Sequence, residues 1–574
     1  MAFKEELAET IVKAITEIQG DGSPMSREEI LQTLEIPPSL DKGDFAYPCF
    51  RLAKTFKKPP QVIAQELAEK IEKPEFIAEI KTAAAYLNFY IDRGMYAKSI
   101  LEPVLRQKHQ YGSSNIGGGR HVVIDFSSPN IAKPFHIGHL RTTVIGAALR
   151  NIYNFLGYRS VGINHLGDWG TQFGKLIVAY KNWGSKEAVE RDGIAELTRI
   201  YIKFHDEAEL NKTLEEEARH WLLRMEQGDE EALALWKWFY DISMIEFNRV
   251  YSRLGIEFEF LTGESFYNDK MPAVIDELRE KGLLIESNGA MVVDLSEYNM
   301  PPCLILRSDG GTLYHTRDLA TAFYRKKEFD FVKAIYVVGL EQKLHFSQLF
   351  KVIEKMGYEW AKDMVHTPFG LVSLEAGRFS TRRGRVIRLE ELIEETVNKT
   401  MEIIKAKNPD LPNKEQVAEE VGIGAIKFND MYNNRIKDVV FSWDRVLNFE
   451  GESGPYVQYT HARTCSLLSK SGVNEDDLID VDFSALADES SAEVMKLIRA
   501  YPDKIADAAY KYEPFVITRH LVDISQAFNK FYHDNAILNS ENRVRQARLA
   551  LVLAVRYILF SGLGLLGIKA PNQM

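Results

Sequence analysis

The sequence is poor in cysteine. Its three, Cys49, Cys303 and Cys465, lie far apart in 574 residues, with no C-x-x-C pair. The count excludes a disulfide framework, and the spacing excludes the usual structural zinc patterns, so no zinc is expected. The thiols read as small apolar residues in a reducing compartment, which makes a cytoplasmic location the expectation. No segment reads as an export signal either. The stretch from Met1 to Gln19 is acidic and sets Phe3, Leu7, Ile11, Ile15 and Ile18 at helical spacing, an amphipathic helix. Long apolar runs are absent except for Leu549 to Ile568. That run carries Arg556, Gly562, Gly564 and Gly567, so it reads as a buried helix and no membrane partner is expected. Net positive charge is missing too. A formal charge of −11 argues against a chain that coats nucleic acid, although partners respond to local patches rather than totals. What remains is ordinary globular composition, 45% hydrophobic and 27% charged, in a length suited to about four domains.

Residues 1–118 read as an α+β unit in which Pro37-Pro38 breaks the first helical region and Ala85 to Ile91 forms a strand. Between them, Lys42 to Lys58 holds five basic residues, Lys42, Arg51, Lys54, Lys57 and Lys58, against the single acid Asp44. They interleave with Phe45, Tyr47, Phe50 and Phe56, a mixture suited to RNA because cations meet phosphates and rings stack on bases. A solvated face over core aromatics is the plainer alternative. Gly117-Gly118-Gly119 reads as a flexible boundary. Beyond it, His121 to Phe126 is a buried parallel strand, and a helix is expected to start near Pro134. Further strands are expected at 161–165, 291–295, 303–306 and 334–339, with a hairpin turn at 308–311 leading into Thr312–His315. Alternation of strands and helices predicts a doubly wound α/β domain. No strand is expected after about residue 415, and 450–574 reads as all-helical.

The sharpest local pattern runs from Pro129 to His139, PNIAKPFHIGH, between a buried strand and a helix. Open α/β sheets bind nucleotides there, outside the carboxyl ends of their strands. His136 and His139 share one helix face near its positive end and can donate hydrogen bonds to phosphate oxygens. Gly138, without a side chain, lets a flat base approach the backbone.

His136-Ile-Gly-His139 resembles the signature of class I aminoacyl-tRNA synthetases. Together with Phe126–Lys133 (FSSPNIAK), Asn164–Gly174 (NHLGDWGTQFG), Tyr314–Asp318 (YHTRD), Phe379–Gly384 (FSTRRG) and Leu565–Pro571 (LLGIKAP), the chain resembles arginyl-tRNA synthetases over essentially its whole length. The resemblance implies a ligase that activates L-arginine with ATP and Mg²⁺, releases pyrophosphate, and passes arginine to the 3′ end of its cognate tRNA. Ser128, Pro129 and Asn130 are then expected to hold the amino acid's α-amino and carboxylate groups, with help from His139. Tyr314, Asp318 and Gln342 match pocket positions, and Asp125 stands where some relatives have glutamate. Guanidinium is planar and always charged, with five donors and no acceptor. Asp318 and Asp125 are therefore expected to supply charge-assisted bonds, and Tyr314 a ring and a hydroxyl. Such a pocket rejects uncharged analogues because its own bonds go unmade.

The family's second signature, Lys-Met-Ser-Lys, is altered: Arg378-Phe-Ser-Thr381 aligns with it, followed by Arg382 and Arg383. Ser380, Thr381 and Arg382 are the ATP-binding candidates there, alongside His136, Gly138 and His139. Gly377 and Gly384 flank the arginine-rich run 378–388 as hinges. Lys133 is expected to supply the missing charge to pyrophosphate. The resemblance assigns 1–118 to the tRNA elbow and places 119–375 as a Rossmann catalytic domain with insertions at about 175–240 and 263–311. It leaves 376–449 as the signature loop and a helical connection, and gives 450–574 to the anticodon. The tRNA contacts expected are Lys54, Lys57 and Lys58, and Tyr456, Tyr459 and Arg463 with His461 in the segment 450–464. Monomer is the expected state. A catalytically dead relative acting as an RNA-binding module is disfavoured by the intact His136, His139, Asn130 and Asp318. A sister enzyme for cysteine is disfavoured by the missing cysteine set.

Overall fold

The computed structural model describes residues 2–20, 23–37, 42–374 and 388–574. It divides into two compact units that do not follow chain order. The first comprises Met1–Tyr111, Leu467–Arg499 and Gln526–Tyr557. Its sheet holds β1 (Phe45–Pro48), β2 (Ile77–Ala83) and β3 (Tyr86–Ile91), antiparallel in the order β1-β3-β2. The helices Ala2–Gln19 and Pro60–Lys70 cover one face and bury Leu7, Ile11, Ile15, Ile63 and Leu67 against Phe45, Leu87 and Phe89. The first helical break falls at Gly20, ahead of Pro37. A new helix, Arg27–Thr33, starts on a capping box in which Ser26 and Glu29 satisfy each other's backbone N–H groups.

The second unit comprises Gly112–Ser466, Ala500–Ser525 and Ile558–Met574. Its strands are β4 (His121–Asp125), β5 (Arg159–Asn164), β6 (Phe260–Leu261), β7 (Leu284–Ser287), β8 (Ala290–Val293), β9 (Cys303–Leu306), β10 (Lys333–Tyr336), β11 (Met364–His366), β12 (Val372–Leu374) and β13 (Val439–Phe441). Five form a parallel sheet ordered β6-β5-β4-β10-β11. The chain starts at β4, winds outward through β5 and β6, then returns to β4's other edge at β10, the doubly wound arrangement expected. Its central strands are apolar runs because helices bury both faces. The strands β7, β8 and β9 make a small antiparallel sheet, and β12 pairs in parallel with β13.

Several expectations need correction. The strand β13 lies beyond residue 415, where none was foreseen, because three residues (VVF) give too short a pattern to read. The turn at 308–311 forms, but its second arm is one bridge, Leu306 to Thr312, and a helix starts at Tyr314. The helix after β4 spans Ile137–Phe155 with His136 as its cap, so Pro134 lies outside it. Gly117 is not a flexible joint: a Cβ there would stand 2.2 Å from the Tyr158 nitrogen, so glycine is required by close backbone packing. Among the described residues one helix, Asn542–Leu565, is long and apolar enough to cross a membrane, and 72% of its most apolar window is buried inside the protein.

Candidate active site

The sheet order reverses between β4 and β10, and a crevice at that switch point is where an open α/β sheet binds its ligand. At the end of β4, Asp125 is buried and accepts a hydrogen bond from the Ser128 hydroxyl at 3.0 Å. Its other oxygen lies 2.7 Å from the guanidinium of Arg325, which is fully buried on the helix Tyr314–Phe329. Asp125 is thus paired with a cation of the protein itself and accepts from Ser128. Sequence spacing hid this, because Arg325 lies two helical turns beyond Asp318.

The loop after β4 is built against the segment after β5. Asn130 bridges Gly167 in parallel, Gly167 N–H donates to Pro129 O at 3.1 Å, and Ile131 N–H donates to Gly167 O at 3.1 Å. A Cβ at Gly167 would stand 2.1 Å from Asn130 Oδ1, so glycine there leaves room for the Asn130 side chain where it lies. Pro129 is buried, Ser128 is half-buried, and Asn130 and Lys133 are exposed.

The two histidines are held by their own backbone. Gly138 N–H donates to His136 Nδ1 at 3.0 Å, and His136 N–H donates to His139 Nδ1 at 3.2 Å. Both Nδ1 atoms therefore act as acceptors, which leaves the proton of each neutral ring on Nε2. Burial, then the neighbouring Lys133, pulls the His136 pKa down, and burial followed by His136 pulls that of His139 down to about 3. Both rings are neutral donors at neutral pH. They sit at the N-terminus of a 19-residue helix, where free N–H groups and the helix dipole favour phosphate. A Cβ on Gly138 would stand 2.8 Å from the His136 ring, so this glycine first of all makes room for that side chain.

Ser380, Thr381 and Arg382, with Arg378, Arg383, Arg385, Gly377 and Gly384, lie outside the described residues. The flanks of that segment are described, and both touch the histidine helix. Arg141, fully buried, donates to Gly370 O at 3.0 Å and Lys437 O at 2.7 Å, and pairs with Asp430 at 3.2 Å. On the other flank, Arg388 bridges His136, Leu389 N–H donates to Phe135 O at 2.8 Å, and Arg388 pairs with Glu246 at 2.8 Å.

Acids gather at the carboxyl end of the sheet. Asp318 is one turn into the helix that Tyr314 opens, and lies 2.5 Å from His345 Nε2. Burial raises its pKa, but the His345 hydrogen bond and the fields of His345, His165 and His315 prevail and hold it below the usual carboxylate value. His165, directly after β5, and Tyr336, at the end of β10, both feel the Asp318 charge, which places it beside the strand ends. Tyr314 is exposed, and Gln342 is exposed three residues before His345. A second acid was not foreseen. Glu264 is largely buried, 3.6 Å from Arg317, and its pKa is pushed up to about 7, by burial first and then, against the pull of Arg317, by Asp318 and Asp168. No motif spacing marks it, since it precedes Asp318 by 54 residues. Asp168 is committed to Ser265, whose N–H and hydroxyl donate to it at 2.8 and 2.7 Å.

The RNA candidates scatter. Within the basic stretch Phe45 and Tyr47 are core residues, which corrects their reading as stacking groups, whereas Phe50 is exposed. Lys54 and Lys57 are exposed, and Lys58 pairs with Glu66 at 2.6 Å. On the helix Gly454–Ser471, Tyr459 is exposed with the Arg463 guanidinium 5.0 Å above its ring, and Tyr456 is half-buried. His461 is buried with Nδ1 3.1 Å from Pro571 O, so it faces inward and not toward a ligand.

Comparison with known proteins agrees across the chain. The family model described as "tRNA synthetases class I (R), catalytic domain" matches residues 100–443. "Arginyl tRNA synthetase N terminal domain" matches 5–91, and "DALR anticodon binding domain" matches 457–574. Curated arginine–tRNA ligases of Halothermothrix orenii and Alkaliphilus metalliredigens are 56% and 54% identical, each over 572 residues and the full length of both chains. The solved structure of Thermus thermophilus arginyl-tRNA synthetase superposes with a TM-score of 0.78 at 26% identity, covering all of both chains. The chain belongs to the arginyl-tRNA synthetase family, the class I ligases that join arginine to tRNA.

Proposed function

We propose that the protein activates L-arginine with ATP to arginyl-adenylate, releasing pyrophosphate, and then transfers arginine to the terminal adenosine of its cognate tRNA. The observation that carries the pocket assignment is Asp318, a carboxylate kept ionised in a partly buried site at the strand ends, with Glu264 in its field. Such a pair suits a planar cation with five donors. Tyr314, at the start of the same helix, offers a ring and hydroxyl, and Gln342 a polar edge. Ser128 and Asn130 hold the α-amino and carboxylate groups. The carboxylate attacks the ATP α-phosphate while the Nε2–H groups of His136 and His139 donate to phosphate oxygens, and charge develops against preformed donors. Lys133 lies close enough to depress both histidine pKa values, and it supplies positive charge to the leaving pyrophosphate. No side chain acts as a covalent nucleophile; catalysis is positioning and electrostatics. Among the described residues no group of three metal-binding side chains assembles, and the donors at the phosphate site are a lysine and neutral imidazoles. Magnesium bound with ATP would supply charge shielding at the phosphates, beside the donors Lys133, His136 and His139.

The same reading extends to partners. The chain acts as a cytoplasmic monomer without zinc. The first 118 residues meet the tRNA elbow through Lys54, Lys57 and Lys58. Residues 450–574 read the anticodon region, with Tyr456, Tyr459 and Arg463 as contacts. Two variants test the assignments. Asp318→Ala is expected to lower kcat/KM for arginine by at least about 100-fold, since about 2.7 kcal/mol is modest for a lost charge-assisted pair. Lys133→Ala is expected to slow adenylate formation more than it weakens arginine binding. Normal kinetics in either variant refutes the role of that residue.

A further inference from the structure

Three residues of the loop between β4 and the histidine helix, Ser127, Ser128 and Ala132, have φ of 74°, 47° and 60°. L side chains seldom occupy that region, and they persist there only where the surroundings over-determine the backbone. The surroundings here come from a helix more than a hundred residues later, Glu230–Leu254, which carries no recognisable motif. The Tyr251 hydroxyl lies 2.7 Å from Ser127 Oγ and accepts a hydrogen bond from Asn164 Nδ2 at 3.0 Å. Asn164 Oδ1 in turn accepts the Ser128 N–H at 3.0 Å. Thr142 Oγ1 accepts the Ser127 N–H at 3.0 Å, and Thr143 Oγ1 stands 2.8 Å from Ser127 Oγ. Eight residues before Tyr251, on the same helix face, Ser243 Oγ accepts the Ala132 N–H at 2.9 Å.

Every one of these side chains is buried: Ser243 and Asn164 at 0%, Ser127 at 3% and Tyr251 at 4% exposure. A tyrosine packed edge-on against Phe135 and Phe258, at 5.3 and 5.0 Å, could fill its niche as phenylalanine. Its hydroxyl therefore has another task. We infer that Tyr251 is a positioning residue for arginine: through Ser127 and Asn164 it fixes the left-handed turn that presents Ser128 and Asn130. Ser243 holds the far end of the same loop. The inference rests on the reading that Ser128 and Asn130 hold the α-amino and carboxylate groups of the substrate. The histidines keep their own backbone bonds, so the effect falls on the arginine side.

The test is Tyr251→Phe in the full chain, with KM for arginine and for ATP and kcat measured in tRNA charging, and thermal unfolding followed in parallel. The expected result is an arginine KM raised about tenfold, within the cost of leaving a buried polar group unpaired. ATP KM should stay within about twofold and unfolding within a few degrees. Ser127→Ala removes the same hydrogen bond from its other end and should give the same split, so it decides the matter if Tyr251→Phe fails to fold. The double variant should cost less than the product of the two single effects, because both break the Tyr251–Ser127 bond while each also breaks one bond of its own, Asn164–Tyr251 or Thr143–Ser127. An unchanged arginine KM, parallel rises in both KM values, or multiplying effects in the double variant overturns the inference. Asn130→Ala, run alongside, separates the two failures. If it alone impairs arginine use, the pocket assignment stands and Tyr251 is merely core. If none of the variants impairs it, the pocket assignment falls as well.

Discussion

Glu264 shows how a single side chain turns burial into a pH response. Its carboxyl is held near pKa 7 by desolvation and by the neighbouring acids, so below that value it carries a proton and above it a charge. Arginine stays cationic throughout, so the pocket gains an attractive partner as pH rises. The expected outcome is an arginine KM that falls between pH 6 and pH 8, a dependence that Glu264→Gln flattens at a uniformly higher KM. A KM independent of pH in the wild type would count against Glu264 facing the substrate. His139 is expected to add no break in that range, since it is already neutral. At this scale the sequence was informative wherever a motif was dense. Asn130, His136, His139 and Asp318 were all legible, whereas Glu264, Arg325 and Tyr251 were not. Each of those three acts through a contact made across the fold, and nothing in its own neighbours marks it. The internal Arg325 that neutralises Asp125 is the clearest instance, because charge balance is a property of packing and not of spacing.

Among the elements, β3, β4, β5, β8, β9 and β10 could be read from their apolar runs, whereas β2, seven residues long, could not, because most of it is exposed. Short ones such as β12 and β13 could not, because three residues carry no period. The helix Lys414–Met431 carries a further consequence of burial. Its Lys427 is buried and donates to Gly567 O at 2.6 Å and to Leu254 O, tying off the carboxyl end of the helix that bears Tyr251. Burial, then Lys569, pulls the Lys427 pKa down to about 7. The unfolded chain keeps that proton up to about pH 10.4. Between these values the unfolded state binds more protons, so Lys427 makes the fold more stable as pH rises from 7. Lys427→Met is expected to destabilise the protein by about 2 kcal/mol, because two buried carbonyls lose their donor. The gap from wild type should widen between pH 7 and pH 9 in denaturant unfolding. A gap that narrows over that range would show that the lysine is not buried as described.

For the whole molecule, the question is how a chain of net charge −11 engages a polyanion. The exposed Lys54 and Lys57 and the Arg463–Tyr459 pair are local exceptions to the acidic surface, and each phosphate contact contributes to salt sensitivity. Replacing Lys54 and Lys57 with alanine is expected to lower the slope of log affinity for tRNA against log salt by roughly 1.4 to 1.8, given about 0.7 to 0.9 per phosphate contact. An unchanged slope would place the tRNA elsewhere on the protein. The most direct test of the central claim is arginine-dependent exchange of pyrophosphate into ATP, measured with and without cognate tRNA for the wild type and Asp318→Ala. The account predicts exchange for arginine when tRNA is present, none with citrulline, and a severe loss in the variant. Absence of arginine-dependent exchange with cognate tRNA present would contradict it.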